Sequence, residues 1–242
     1  MKCYADLHIH SVLSPCADFL MTPRNLIPKL KESGLIIFSI TDHNDCRNSR
    51  IFQKKAEENG LLFIPGIEIQ SAEEVHILGY FKNIESLEKV AKIIKKSLPQ
   101  IENSEEIYGY QLIVDENDDY IEKERAFLAG ASSMGIDEIA KLIKENGGIF
   151  IPAHIDRGSS ILSNIGYFPD LSYDGFEIYN KSKISELREK YKFVKPIFSS
   201  SDSHFKEGIE KKGMYIEMEK LTVEAFFDAV KAGKVYIEGV EK

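Results

Sequence analysis

Apolar and polar positions recur along this chain with two periods, and the switches between them mark strands and helices in turn. Lys2 to Leu7 reads as a short strand. Thr22-Pro23 supplies an N-cap followed by proline at the first helical position. Leu26, Ile27 and Leu30 then line one helix face, and Gly34 ends it. Leu35-Ile36-Ile37-Phe38-Ser39-Ile40 is a nearly continuous apolar run, as expected of a strand buried on both faces. A polar helix from about Arg47 to Asn59 stops at Gly60. Leu61 to Ile64 is the next buried strand, leading to Glu68. Val75 to Phe81 follows too closely for a parallel crossover, which takes about a dozen residues, so an antiparallel hairpin is expected. That hairpin sets His76, early in its strand, at the same edge as Glu68.

Ile84 to Leu98 reads as an amphipathic helix with Leu87, Val90, Ala91 and Ile94 on one side. The pattern weakens from Pro99 to Gly135, where an irregular or lightly helical insertion (99–135) is expected. Gly135 to Asn146 is helical again, and Ile149-Phe150-Ile151 is a strand leading to His154. A long loop, Ile155 to Tyr173, precedes strand-like Gly175 to Tyr179 and a helix from Lys183 to Tyr191. Pro196-Ile197-Phe198 leads to Asp202. The tail reads as a strand (Met214 to Met218), a helix (Thr222 to Ala232) and a strand (Val235 to Glu238). Some seven strands alternating with helices predict an α/β chain, 1–242, folded as one closed or nearly closed β/α barrel. An open doubly wound sheet is the alternative.

Composition narrows the partners. With 43% hydrophobic and 29% charged residues the chain is an ordinary globular one with enough apolar side chains for a sizeable core. Its 31 basic and 39 acidic residues leave a net charge of −8, a poor surface for a long nucleic-acid track. A small phosphorylated ligand is still accommodated, because bound cations reverse the local potential. Three cysteines without a CxxC pair, no apolar leader and no membrane-length apolar run predict a cytoplasmic protein without disulfides or a membrane partner. Cys16 and Cys46 sit near the candidate ligands but are read as small buried residues. Asp115 to Asp119 lacks the glycine and closing glutamate of a calcium loop and is read as a solvated turn.

The chemistry is concentrated in the histidines. All six sit in short motifs that carry or border a carboxylate, at the ends of expected strands. These are Asp6-Leu7-His8-Ile9-His10, Thr41-Asp42-His43, Gly66-Ile67-Glu68 with Val75-His76, Pro152-Ala153-His154, and Ser201-Asp202-Ser203-His204. Imidazole and carboxylate are ligands for Zn, Mn or Fe. His8 and His10 are two apart on a strand and share a face, and Asp202 and His204 repeat that spacing. Glu68 is placed to bridge two cations, which a histidine cannot do. Asp6 and Asp42 neighbour the histidines and are expected to orient their rings. The arrangement points to a polynuclear metal site and to hydrolysis by a bridging hydroxide.

In this order the motifs resemble those of the PHP (polymerase and histidinol phosphatase) family, over residues 2 to 204. The resemblance implies a distorted (β/α)7 barrel with two or three divalent metal ions at the C-terminal ends of its strands. By that resemblance one metal falls to His8, His10, Glu68 and Asp202, a second to His76 and His154 with Glu68 as bridge, and a third to Asp18, His43 and His204. An arginine three residues after the fifth histidine contacts substrate phosphate in several family members, which here falls on Arg157. Lys181 and Arg47 are weaker phosphate candidates. With Asp202 and His204 acting in catalysis, the implied activity is hydrolysis of a small phosphomonoester or phosphodiester, such as a nucleotide or an oligonucleotide end. A histidinol-phosphatase-like enzyme, an amidohydrolase, and a metal-binding regulatory or accessory module without turnover stand as alternatives.

Overall fold

The computed structural model describes residues 1–193, 195–209 and 213–240. Strand β1 (Lys2–Ile9) is followed by α1 (Pro23–Glu32), β2 (Ile37–Ile40), α2 (Ser49–Glu58), β3 (Leu62–Phe63), β4 (Gly66–Gln70), β5 (His76–Tyr80) and α3 (Ile84–Ser97). Next come α4 (Glu105–Tyr108), β6 (Leu112–Val114), β7 (Tyr120–Lys123), α5 (Ile136–Glu145), β8 (Ile149–Pro152) and α6 (Ile161–Asn164). β9 (Phe176–Glu177), α7 (Ile184–Tyr191), β10 (Ile197–Phe198), β11 (Met214–Glu217), α8 (Val223–Lys231) and β12 (Val235–Ile237) complete the order. Among the described residues no helix is long and apolar enough to cross a membrane.

Among the described residues the ladders form four sheets: β12-β11-β1-β2-β3, β4-β5-β8, β9-β10 and β6-β7. Backbone contacts at the strand ends link the first three. A parallel bridge joins Ile9 to Ser203 and another joins His43 to Glu68, and Ile155 N–H donates to the Glu177 carbonyl at 2.8 Å. β5 runs antiparallel to both β4 and β8, so those two strands are parallel to each other. The expected hairpin is therefore present, with Gln70 opposite His76 and Ile77 opposite Pro152. One edge of this sheet then collects the start of β5 and the ends of β4 and β8.

The core follows from strand alternation. On β1 the apolar side chains of Cys3, Ala5, Leu7 and Ile9 join the main hydrophobic cluster, and the other face carries Asp6 and His8. The helices add their apolar stripes to the same cluster, Leu26, Ile27 and Leu30 from α1 and Ile136, Ile139 and Ile143 from α5. Each such side chain contributes about 1.5–3 kcal/mol by leaving water. Gly66 is required by close approach, since a Cβ there would lie 2.2 Å from Ser39 Oγ.

The 99–135 segment, expected to be irregular or lightly helical, holds the short helix α4 and also the β6–β7 hairpin. Most of β7 is exposed, so it lacks the alternation that makes a strand legible. The Asp115–Asp119 turn is a hydrogen-bonded one: the Asp115 carboxylate accepts from the amides of Asn117 and Asp119. Its neighbour Asp118 accepts from Thr22 Oγ1 and from the Arg24 amide at 3.2 Å. Thr22 occupies the N-cap position of α1, but the capping carboxylate comes from the turn between β6 and β7.

Candidate metal centre

Glu68, 1% exposed, is the hub of the strand-end edge. Its two carboxylate oxygens lie within 3.3 Å of a ring nitrogen of five histidines: His8, His10, His43, His76 and His154. The closest are His76 Nδ1 at 2.8 Å and His43 Nδ1 at 3.0 Å. Asp202 Oδ1 lies 3.4 Å from both His8 Nε2 and His10 Nε2. The His204 ring stacks on His10 with centroids 4.0 Å apart. Residues from β1, β4, β5 and the segments after β2, β8 and β10 thus meet at one point.

Among the described residues three overlapping sets have ligand atoms mutually within 4.8 Å: His8, His10 and Glu68; His43, Glu68 and His76; His10, His43 and His204. The first shares three residues with one set expected by resemblance, and the other two cut across the remaining assignments. Asp18 joins none of them. Its carboxylate accepts from the Leu20 amide, and its own backbone N–H donates to the His204 carbonyl at 2.9 Å.

A donor set of this kind fits divalent cations. His8 Nε2, His10 Nε2, His154 Nδ1 and both Glu68 oxygens are buried without a hydrogen-bond partner among the described residues. Burying that many polar atoms unsatisfied costs free energy at each. A cation drawing on several lone pairs at once satisfies most of them together.

The charges respond to this crowding. Burial pushes Glu68 up, but the rings of His76, His8 and His43 outweigh it and hold the carboxyl well below the usual range. Burial likewise opposes ionisation of Asp202, yet His8 and His10 hold it below the ordinary carboxylate value. Burial lowers His10, and the Asp202 and Glu68 carboxylates overcome it, raising the ring to about 9. His8 is raised well above its ordinary value by Glu177, Asp202 and Glu68 against the same burial. His43, lowered mainly by burial to about 4, and His204, lowered by burial and His10 to about 3, stay neutral at pH 7.

The supporting residues differ from expectation. Asp6 does not orient a ring: its Oδ1 accepts from the amides of His8 and Ser201. Asp42 reaches His10 only through Ser14, whose Oγ donates to Asp42 at 2.7 Å and lies 2.9 Å from His10 Nδ1. The ring of His8 is held instead by Glu177, with Nδ1 2.9 Å from its Oε2. That glutamate was not singled out, although it is the one carboxylate in the apolar run Phe176 to Tyr179. Arg157 Nη1 donates to Asp202 Oδ2 at 2.7 Å, and its guanidinium lies over the Tyr179 ring at 4.2 Å. Asp156 does not pair with it, accepting instead from the amides of Tyr179 and Asn180.

Arg47 is paired with Asp45, Glu122 and Glu124. Lys181 Nζ lies beside Gly213 and Gly239. Cys46 is buried as expected, whereas Cys16 is exposed.

Comparison with known proteins places this geometry. Residues 6–239 match the PHP domain family. An uncharacterized protein of Methanocaldococcus jannaschii is 34% identical over 87 residues, 33% of this chain and 50% of that protein. A lesion-specific endonuclease from Pyrococcus furiosus superposes with a TM-score of 0.68 at 20% identity, over 96% of this chain and 56% of that one. A putative metal-dependent phosphoesterase from Bifidobacterium adolescentis gives a TM-score of 0.61 at 18% identity, over 98% of each chain. At such identities the two structures are likenesses of fold. The chain spans about half the length of the M. jannaschii protein and of the endonuclease.

Proposed function

The chain belongs to the PHP domain family, with its phosphoesterase- and nuclease-like α/β fold, and on that footing we propose that it is a metal-dependent phosphoric ester hydrolase. PHP phosphoesterases use divalent metal ions, and the contact of Glu68 with five histidines is the observation that carries the reading. We read the chain as one distorted (β/α)7 barrel with the 99–135 hairpin segment as its insertion. We assign the ligand role to His8, His10, Glu68, His76, His154, Asp202, His43 and His204, with Asp18 beside His204 as the outlying ninth. Two or three ions of Zn, Mn or Fe bound there would polarise the phosphoryl group and make water nucleophilic near neutral pH.

The chain's own groups do the rest. Arg157 sits at the rim with its side chain 44% exposed, tethered to Asp202 and stacked on Tyr179, so it can reach a phosphate oxygen without leaving the site. His204 Nδ1 lies 3.0 Å from the Asp202 carbonyl. A proton on Nδ1 donates there, which frees the Nε2 lone pair. The ring, neutral at pH 7, then serves as ligand or as proton acceptor.

The substrate reading is a small phosphomonoester or phosphodiester, a nucleotide or an oligonucleotide end. Exposed rings follow two of the assigned ligands along the chain. Phe19, 55% exposed, follows Asp18, and Phe205, 58% exposed, follows His204. Phe19 pairs with exposed Tyr110 of the insertion at 5.2 Å. Flat aromatic faces left in water beside a phosphate site suit stacking on bases. The net charge of −8 keeps the proposal to a short end rather than a long track.

The test is phosphate release by protein loaded with Mn, Fe or Zn, over nucleotides, phosphorylated oligonucleotides and sugar phosphates. The expected result is turnover that favours the base-bearing esters and vanishes when His8 and Asp202 are both changed to Ala. No release from any ester by fully metallated protein would overturn it. Arg157→Ala should raise KM about 10- to 100-fold with metal content unchanged, since a hydrogen bond to a charged group contributes about 1.5–3 kcal/mol. Unaltered KM would remove Arg157 from the substrate's contacts.

A further inference from the structure

Glu177 meets two candidate ligands from different parts of the chain. Its side chain is buried, and its Oε2 accepts two hydrogen bonds. One comes from His8 Nδ1–H at 2.9 Å and the other from the His154 backbone N–H at 3.0 Å. Its backbone carbonyl also accepts from Ile155 N–H at 2.8 Å, so the residue grips the chain on both sides of the His154 peptide. Parallel pairing of β9 with β10, Glu177 opposite Phe198, fixes the glutamate itself.

Each bond has a specific consequence. His8 Nε2 faces Glu68 and Asp202, 3.3 and 3.4 Å away, so with the Nδ1 proton held by Glu177 it is Nε2 that would offer its lone pair to an ion. His154 has φ +24°, in the left-handed region that a side-chain-bearing residue keeps only where its surroundings enforce it. Its ring reaches Glu68 Oε1 at 3.3 Å from that backbone. The negative charge on the acceptor strengthens both bonds relative to a neutral partner. The other two carboxylates beside the histidine motifs do not substitute. Asp6 reaches only amides, and Asp42 reaches His10 only through Ser14.

We propose that Glu177 is a positioning residue that sets two metal ligands at once: it fixes the ring of His8 with Nε2 toward the centre, and it clamps the strained backbone that aims His154 at Glu68. The proposal rests on the reading of the cluster as a metal site. It implies that the His8-side and His154-side ions lose affinity together when this one carboxylate is changed.

The experiment compares wild type, Glu177→Gln and Glu177→Ala. Zinc and manganese affinities are measured by chelator competition and metal content by mass spectrometry. ¹⁵N–¹H spectra follow the His8 Nδ1–H proton in metal-free and zinc-loaded protein. Loss of a residue that orients ligands typically costs roughly 10- to 100-fold in metal affinity. The expected result is that loss for more than one ion in Glu177→Ala, a smaller loss in Glu177→Gln, and a shifted His8 proton in both. Should Glu177→Ala not fold, Glu177→Gln carries the test, because it keeps the shape and removes only the charge. Lower thermal stability with wild-type affinities would make Glu177 a merely structural residue and overturn the proposal. Wild-type protein that binds metal but releases no phosphate would sink the phosphoesterase reading and leave the affinity comparison standing. Wild-type protein that binds no metal would overturn both.

Discussion

Glu68→Gln is expected to strip bound metal from the protein and to lower phosphate release by on the order of 10³-fold or more. The variant keeps the size of the side chain and removes its charge. In the parent protein that charge faces five imidazoles from a buried position, with Oε1 toward His8, His76 and His154 and Oε2 toward His10 and His43. An amide presents one oxygen instead of two, and its nitrogen turns N–H groups toward rings that must offer lone pairs. Loss of a single preorganised electrostatic group at a reacting centre alone costs about 10²–10³ in kcat. As a proposed ligand the group would also hold the ions, so a larger loss is expected. Removing one member of a buried charge set costs about 3–5 kcal/mol, so the variant should also melt earlier. Glu68→Asp is the informative companion. It keeps the charge, is one methylene shorter, and cannot span both halves of the cluster, so it should retain fewer ions than the parent. Metal per chain by mass spectrometry, read beside turnover, checks both. A Gln variant with full metal content and full turnover would falsify the central role of Glu68.

Removing the metals should destabilise the protein markedly. A ligand that binds only the folded state adds RT ln(1 + [L]/Kd), about 4 kcal/mol at a free concentration a thousand times Kd. At about 2–4 °C per kcal/mol for a chain of this size, chelation should lower Tm by roughly 8–16 °C per ion held at that excess. The gap should depend on pH. In the metal-free protein His10 is raised to about 9 by the Asp202 and Glu68 carboxylates against its burial. A ring raised above its unfolded value of about 6.5 contributes stability that is fully present below pH 6.5 and lost as pH climbs through 9. His8, also raised, adds in the same direction. Glu68 and Asp202 are both depressed, so their contribution lies above the unfolded carboxylate range and stays constant over this window. In the loaded protein the ligating nitrogens carry no proton to lose. The Tm difference between loaded and chelated protein should therefore widen between pH 6.5 and 9. A difference that narrows, or Tm values that coincide, would contradict the assignment of these rings as ligands.

Much of the site was legible along the chain because ligand chemistry is local. His8 and His10 share a face by the two-residue period of a strand, and the short link before His76 forces a hairpin that returns it to Glu68. The alternating order of strands and helices followed from the same periodicities. The β6–β7 hairpin was not legible, because β7 is mostly exposed and an exposed strand carries no apolar alternation. Composition was similarly silent on Cys16, which is exposed rather than buried.

The sequence by itself determined which donors this protein has, and that they stand at strand ends, because residue type and backbone period are properties of short segments. Tertiary structure alone decided who supports them. Glu177 reaches His8 across 169 residues, and Arg157 reaches Asp202 across 45. Arg47, near the same motifs, was drawn instead into ion pairs with Glu122 and Glu124 beside the β6–β7 hairpin. Asp118 of that hairpin took over the cap of α1 from Thr22. A charged side chain pairs with whichever opposite charge the fold brings within reach, and that distance is set by long-range packing, which no local pattern along the chain encodes.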